Sequence, residues 1–403
     1  MTAMRLDPLR RFAVACLALA ALPACRPAAT SPQPPAAALS LAEVMGGDAA
    51  GFARALSPRP FVFPADHGPH RGFRSEWWYF TGNLAGPDGA PFGFQLTFFR
   101  HALVPPAPGG ADRADAARSR WRAEDLYMAH LAIGDERAGR FRHAERFARG
   151  ALGLAGAEAE PFRVWLEGWS AEASGGDDAP PLRLRAAAGE GEAHLALDLR
   201  LGRGKPPVAQ GDRGLSRKGP EPGNASHYYS LTRLPAEGRL AVGGREVAVR
   251  GLAWMDREWS TSALGAGLVG WDWFALQLDD GRDLMVYRLR RADGGADPWS
   301  AGSLVDARGA ARPLAAEAVR LTPLTSWRSP RGGVYPVRWR LEIPSEALDL
   351  EVVARLEDQE IAGVVRYWEG AVTVAGRGAA GPVAGSGFLE MTGYADGAGR
   401  LTR

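Results

Sequence analysis

The sequence predicts an all-β protein built from two antiparallel β-barrels packed on each other. Three observations carry this expectation. The 403 residues include 51 Gly, 30 Pro and 13 Trp, a balance that suits many turns and short strands better than helices. Alternating apolar runs are broken by Asp-Gly and Gly-Gly pairs, the signature of hairpins. A loose internal repeat is also present: "WWYFTGNLAGPDGAPFGFQLTFFR" begins at Trp77 and "WDWFALQLDDGRDLMVYRLR" at Trp271, 194 residues further on. Each copy has an aromatic strand, an Asp-Gly turn and an apolar strand ending in Arg, and the spacing is about one barrel. The length also exceeds one ordinary core, so two domains are expected.

Taken in order, the chain opens with "MTAMRLDPLRR" and the apolar run "FAVACLALAALPA". That run has the length of a signal-peptide core and is too short to span a bilayer. It ends in "LPAC", which resembles the lipobox of bacterial lipoproteins, with Cys25 as the lipidated first mature residue. Arg26 is not the aspartate that retains such proteins at the inner membrane, so the resemblance implies an outer-membrane lipoprotein facing the periplasm. Residues 1–24 would be the signal peptide and 25–57 a Pro/Ala-rich tether, with a short helix possible at "LAEVMGGDAAGFARAL". Cys16 lies in the removed segment, so the mature chain would hold no free thiol, which excludes thiol catalysis and Cys-based metal sites.

From residue 60 the reading is strands and turns. "PFGFQLTFFRH", "GRLAVGGREVAVRG", "WDWFALQL" with "RDLMVYRLR", "YPVRWRLEIP", "LDLEVVARLED" and "YWEGAVTVAG" all alternate or carry β-rich residues. "ADRADAARSRWRAEDL" is the one persuasive helix outside the tether. The expected division is 58–255 for the first barrel and 256–403 for the second, joined near "GLAWMDREWS". In "RSEWWYFTGNL" four adjacent aromatics cannot share one face of a strand. Trp77 and Tyr79 would take one side; Glu76, Trp78 and Phe80 the other. One set would line or fill a lumen and the other would pack on the second barrel.

Several stretches in order, "DHGPH", "RSEWWYFTGNL", "SHYYSLTRL", "GLAWMDREWS", "GWDWFALQLDDGRDLMVYRL", "YPVRWRLEIP" and "YWEGAVTV", resemble the AttH and carotenoid 1,2-hydratase family of two-domain lipocalin-like proteins. The resemblance runs from about residue 60 to 398. It implies tandem lipocalin-like barrels and three kinds of role: carotenoid hydration, polyene cyclisation, or a lipoprotein encoded beside ABC-transporter permeases. A shared fold does not choose among them.

Hydrating an isolated alkene needs a proton donor, a stabilised carbocation and a positioned water. A carboxylic acid in an apolar pocket stays protonated near neutral pH, and aromatic faces stabilise a cation. Carboxylates sit among tryptophans at Glu76, Asp256 with Glu258, Asp272 and Glu369. Asp256 is the first catalytic candidate, because on a strand Trp254, Asp256 and Glu258 share one face and two close carboxyls can share a proton. His227 is the second, since the hydratases resembled place a histidine in this motif. Glu76, Trp78, Trp254, Glu258, Trp271 and Trp273 are the ligand-binding candidates. Relatives often read "DHEW" where this chain reads "DREW", and Arg257 could hold Asp256 ionised, which would suit binding over acid catalysis.

No metal and no cofactor is expected: Asp66, His67 and His70 in "DHGPH" read as a fixed turn, and no P-loop, dinucleotide or Gly-x-Ser-x-Gly motif occurs. A formal net charge of +2 gives no reason to expect nucleic acid. The expected partners are a hydrophobic small molecule (an isoprenoid, a polyene or another lipid), the membrane through the anchor, and an ABC-transporter permease if the protein is a carrier. Three functions remain: an enzyme, either a hydro-lyase of the carotenoid 1,2-hydratase type or a cyclase, acting on an isoprenoid or polyene; a non-catalytic lipid-binding lipoprotein accessory to an exporter; and a structural lipoprotein with filled barrels.

Overall fold

The computed structural model describes residues 49–106, 123–175, 178–261, 264–265 and 267–394. All of them belong to the compact unit Ala38–Arg403. The signal peptide, Cys25 and most of the tether lie outside the described residues, as does most of the helix expected at 111–126. The end of that segment, from Asp125, is already strand, and the described part of the tether helix is turn and coil.

Two antiparallel sheets, curled into a barrel and a half-barrel, make up the fold. The first begins with β1 (Ser75–Ala85), β2 (Pro91–Ala102), β3 (Asp125–Asp135) and β4 (Arg140–Arg149). Short strands follow: β5 (Ala155–Ala159), β6 (Phe162–Leu166), β7 (Trp169–Ala173), β8 (Leu182–Ala188) and β9 (Leu195–Leu201). Then come β10 (Val208–Ala209), β11 (Leu215–Arg217) and the long hairpin β12 (Ala225–Val242) with β13 (Arg245–Ser260). Gly243 and Gly244 close that hairpin with φ of 60° and 75°, a left-handed pair that L side chains rarely adopt and that matches strand twist.

The second sheet opens with β14 (Leu268–Leu278), β15 (Asp283–Arg291), β16 (Ala301–Val305), β17 (Ala311–Ala315) and β18 (Arg320–Arg328). It closes with β19 (Val334–Ile343), β20 (Leu348–Ala354), β21 (Glu360–Ala362), β22 (Arg366–Gly378) and β23 (Gly381–Met391).

The repeat seen in the sequence is a repeat in topology. The first strand of each sheet pairs with the second and also with the last: β1 lies between β2 and β13, and β14 between β15 and β23. β13 pairs along its length with β1 and β12, so the expected division at 255/256 falls inside a first-sheet strand, and the sheets part between Ser260 and Leu268.

Alternation sends each strand's residues to two different places. Trp78 and Phe80 enter the core of the first barrel, with Leu96, Phe98 and Trp169. Trp77 and Tyr79 face outward into a separate aromatic cluster that also contains Tyr228, Trp254, Trp273 and Tyr287. The second sheet has its own core around Phe274, Trp339 and Trp368. The two sheets therefore meet back to back. They approach closely where a Cβ on Gly93 of β2 would come within 2.6 Å of the Ala371 Cβ of β22. Asn83 Nδ2 donates to the Gly387 carbonyl at 2.9 Å, and Lys205 and Arg233 both pair with the buried Asp283 at 2.7 Å.

Candidate functional site

A partly open cavity of about 110 Å³ lies in the seam between the sheets, lined largely by aromatic rings. One wall is the outer face of β1, β13 and β12. Pairing sets Tyr79 beside Asp256 and Trp77 beside Glu258, and Ser230 and Tyr228 beside the same two carboxyls. The opposite wall comes from β14, β15, β22 and β23, with Trp271, Trp273, Tyr287, Tyr367, Glu369 and Glu390.

Asp256 is buried at the centre of the first wall. Its Oδ1 accepts from Ser230 Oγ at 2.5 Å and Trp254 Nε1 at 2.7 Å; its Oδ2 accepts from Tyr228 Oη at 2.6 Å. Burial pushes its pKa up to about 7, against these hydrogen bonds and with some help from the Glu258 charge. A carboxylate offers about four lone-pair sites, and three of them are filled here. Tyr228 is held in turn by Trp273 Nε1 at 3.2 Å.

The second wall holds a pair of carboxyls that the sequence reading did not bring together. Glu369 of β22 and Glu390 of β23 are direct cross-strand neighbours. Burial, and then the Glu390 charge, push Glu369 well above the ordinary carboxylate range. Burial likewise lifts Glu390 to about 8, opposed by the Trp271 indole N–H that it accepts at 2.9 Å. Like charges this close cannot both ionise at low cost, so the pair keeps a proton near neutrality. Tyr79 donates to Glu369 Oε1, and Gln95 Nε2 lies 3.2 Å from Oε2.

Glu258 serves a different purpose from the proton sharing expected of it. It accepts from Ser226 Oγ and lies 3.5 Å from Lys218 Nζ. The Lys218 ammonium sits 3.9 Å over the Tyr287 ring.

The structure brings Asp256, Trp254, Glu258, Trp271 and Trp273 to one place, and it removes four candidates from it. Glu76 and Trp78 are one residue out of phase with Trp77 and Tyr79, so they face the other side of the sheet. Glu76 is fully buried between Arg100 and Arg257. Burial alone would raise its pKa, but those two guanidinium charges and His70 hold it well below the usual range. Arg257 thus pairs with Glu76, not with Asp256, and stacks 4.0 Å over Trp78. His227 is out of phase with Tyr228 in the same way. It packs between Phe73 and Trp259, and burial, with the Arg59 charge, lowers its pKa to about 4. Asp272 also leaves the cavity, accepting from Arg288 Nε at 2.8 Å and Tyr394 Oη at 2.8 Å. In "DHGPH", Asp66 accepts from the Val62 N–H at 2.6 Å and binds His70 Nε2 at 2.9 Å and Arg59, which fixes the turn over the barrel end.

An all-β chain of two back-to-back sheets, curled into a barrel and a half-barrel with a seam lined by aromatics and buried carboxyls, defines a tandem lipocalin-like class of fold. Residues 54–394 match the AttH-like family model, and the chain belongs to that family. An AttH from Nitrosomonas europaea is 35% identical, with a TM-score of 0.72 over 85% of this chain and 100% of that one. Kievitone hydratase from Nectria haematococca has the same fold at 17% identity, with a TM-score of 0.60 over 85% and 97% of the two chains. The dehydratase asqC of Emericella nidulans is 26% identical over 215 residues, or 49% of this chain; the match spans only 58% of that relative.

Proposed function

We propose that the protein is a hydro-lyase that adds water to, or removes it from, a carbon–carbon double bond in a hydrophobic small molecule. The observation that carries this reading is the pairing of a proton-holding carboxyl couple, Glu369 with Glu390, against Asp256 across an aromatic cavity. In the hydration direction, the couple gives its proton to one alkene carbon. The electron-rich faces of Trp273 and Tyr79 stabilise the cation that forms. Water adds to that cation and passes its extra proton to Asp256 as carboxylate. Dehydration runs the same steps backwards. An Asp256 pKa of about 7 suits a group that must both take and return a proton.

The size of the cavity narrows the substrate. About 110 Å³ is smaller than the roughly 150 Å³ that admits benzene in an engineered protein cavity. One isoprene-sized end of a longer molecule would enter, with the remainder leaving through the open side. An isoprenoid alkene of the type that carotenoid 1,2-hydratases use fits that description. The relative named as a dehydratase supports the reaction class. The "LPAC" motif supports the accompanying proposal that the enzyme is an envelope lipoprotein, anchored through Cys25 and facing the periplasm.

Incubating folded protein with acyclic isoprenoid alkenes and with the matching tertiary alcohols tests the reading. Mass spectrometry should show gain or loss of one water, and both Asp256→Asn and Glu369→Gln should abolish it while binding persists. Saturable quenching of tryptophan fluorescence with no mass change for any substrate would end the hydro-lyase reading and leave a carrier, of the kind that serves an ABC exporter.

A further inference from the structure

Hydration moves a proton from the Glu369–Glu390 couple to Asp256. The couple is then empty, and while substrate or product fills the open side of the cavity it needs a second route by which to regain a proton from solvent. Three side chains, running outward from the cavity wall, line up for that task. Tyr367 lies two residues before Glu369 on β22, on the same face; both line the cavity, and Gln95 Nε2 bridges them at 3.1 Å from the Tyr367 hydroxyl and 3.2 Å from the Glu369 carboxyl. Its Oη is 2.7 Å from Nδ1 of His130, on β3 of the other sheet. His130 is fully buried, and its Nε2 is 3.0 Å from Oε1 of Glu145 on β4. The Glu145 side chain is 12% exposed and so meets water.

We infer that Tyr367, His130 and Glu145 form a proton relay that connects the cavity carboxyls to solvent across the seam between the sheets. The relay rests on the hydro-lyase reading for its purpose, but its geometry stands alone. The protons move in single file, and the cycle closes when Asp256 releases the proton it took to water through the open side of the cavity. Glu145 takes a proton from solvent and passes it to Nε2 of His130. His130 Nδ1 gives its proton to the Tyr367 oxygen, and Tyr367 gives its own hydroxyl proton to the Glu369 carboxylate. The reverse sequence empties the couple.

The surroundings fix each member in place. Gln95 Nε2 is 3.1 Å from Tyr367 Oη and 2.9 Å from Thr97 Oγ1. The Phe99 ring meets His130 edge-on at 5.6 Å. The Val364 N–H donates to Glu145 Oε2 at 2.8 Å. His143, the next titratable group beside His130, is kept neutral chiefly by its own burial and then by the His130 charge. A histidine held only for packing has no need of a carboxylate that reaches water on one nitrogen and a cavity phenol on the other.

The test reads proton movement without substrate. The full-length protein is transferred from H2O to D2O near neutral pH, and the infrared carbonyl band of the protonated carboxyl is followed; the band lost in Glu369→Gln is the one to watch. His130→Phe and Glu145→Gln should slow its H/D shift by about tenfold or more, with unchanged circular dichroism. Glu145→Gln lies near the surface and carries the test if His130→Phe fails to fold. Exchange at the wild-type rate in a folded variant overturns the relay, as does the absence of any such band in the wild type. Slowed exchange in the variants, in a wild type that hydrates no alkene, would remove the hydro-lyase reading and leave the relay standing.

Discussion

Asp256 makes the stability of the fold depend on pH. Its carboxyl has a pKa of about 7 when folded against 3.8 as the ordinary value. Below the ordinary value both folded and unfolded chains hold the proton. Between the two values the folded chain holds it and the unfolded chain does not, so stability falls as pH rises. The loss is complete above the folded value and amounts to roughly 4 kcal/mol for this group. Glu390, lifted to about 8, acts with the same sign. Thermal midpoints measured from mildly acid to mildly alkaline pH should therefore decline, and Asp256→Asn should flatten the decline. An equal slope in the variant would show that Asp256 does not titrate there. At this scale the sequence was informative in part. Trp254, Asp256 and Glu258 could be placed on one face because the period of a strand is two. Glu390 in "GFLEMTG" has no tryptophan beside it, and its partnership with Glu369 exists only through the register of β22 on β23. The same period explains why Glu76 and His227 drew attention: each is the immediate neighbour of a cavity residue and points the opposite way.

The hairpins were the most legible elements. β12–β13 and β14–β15 form around the Gly-Gly and Asp-Gly pairs that announce them. The stretch from 155 to 201 drew no assignment, yet it supplies five strands of the first sheet. Those strands are five to seven residues long and rich in Ala, Leu and Arg, residues that favour helices when isolated. Only burial on the barrel interior decides their state. The contact between β2 and β22 gives a prediction at this scale. A larger residue at Gly93 must displace Ala371, because even a Cβ would come within 2.6 Å of it. Gly93→Val should cost about 2 kcal/mol through overpacking and should widen the cavity, seen as weaker ligand quenching of tryptophan fluorescence. Unchanged stability with unchanged quenching would show that the sheets do not depend on this approach.

For the whole molecule, the expected address rests on "LPAC" and its short apolar leader. Cys25→Ser should leave an unprocessed precursor or release soluble protein from the membrane fraction, as judged by fractionation and mass of the mature terminus. A variant that fractionates like wild type would end the lipoprotein proposal. The back-to-back arrangement of the sheets also has a consequence for the order in which the molecule is made. Synthesis completes the first sheet at Ser260, before any residue of the second has emerged. From that moment until the second sheet folds onto it, the face bearing Trp77, Tyr79, Tyr228 and Trp254 lacks the Trp273 and Tyr287 rings that cover it in the finished molecule. The half-made chain is then a folded object with one sticky side, and the pocket comes into being only as the last strand, carrying Glu390, is laid down. A chain stalled or cut before Met391 would be a stable barrel in search of a lid, prone to pair with its own kind.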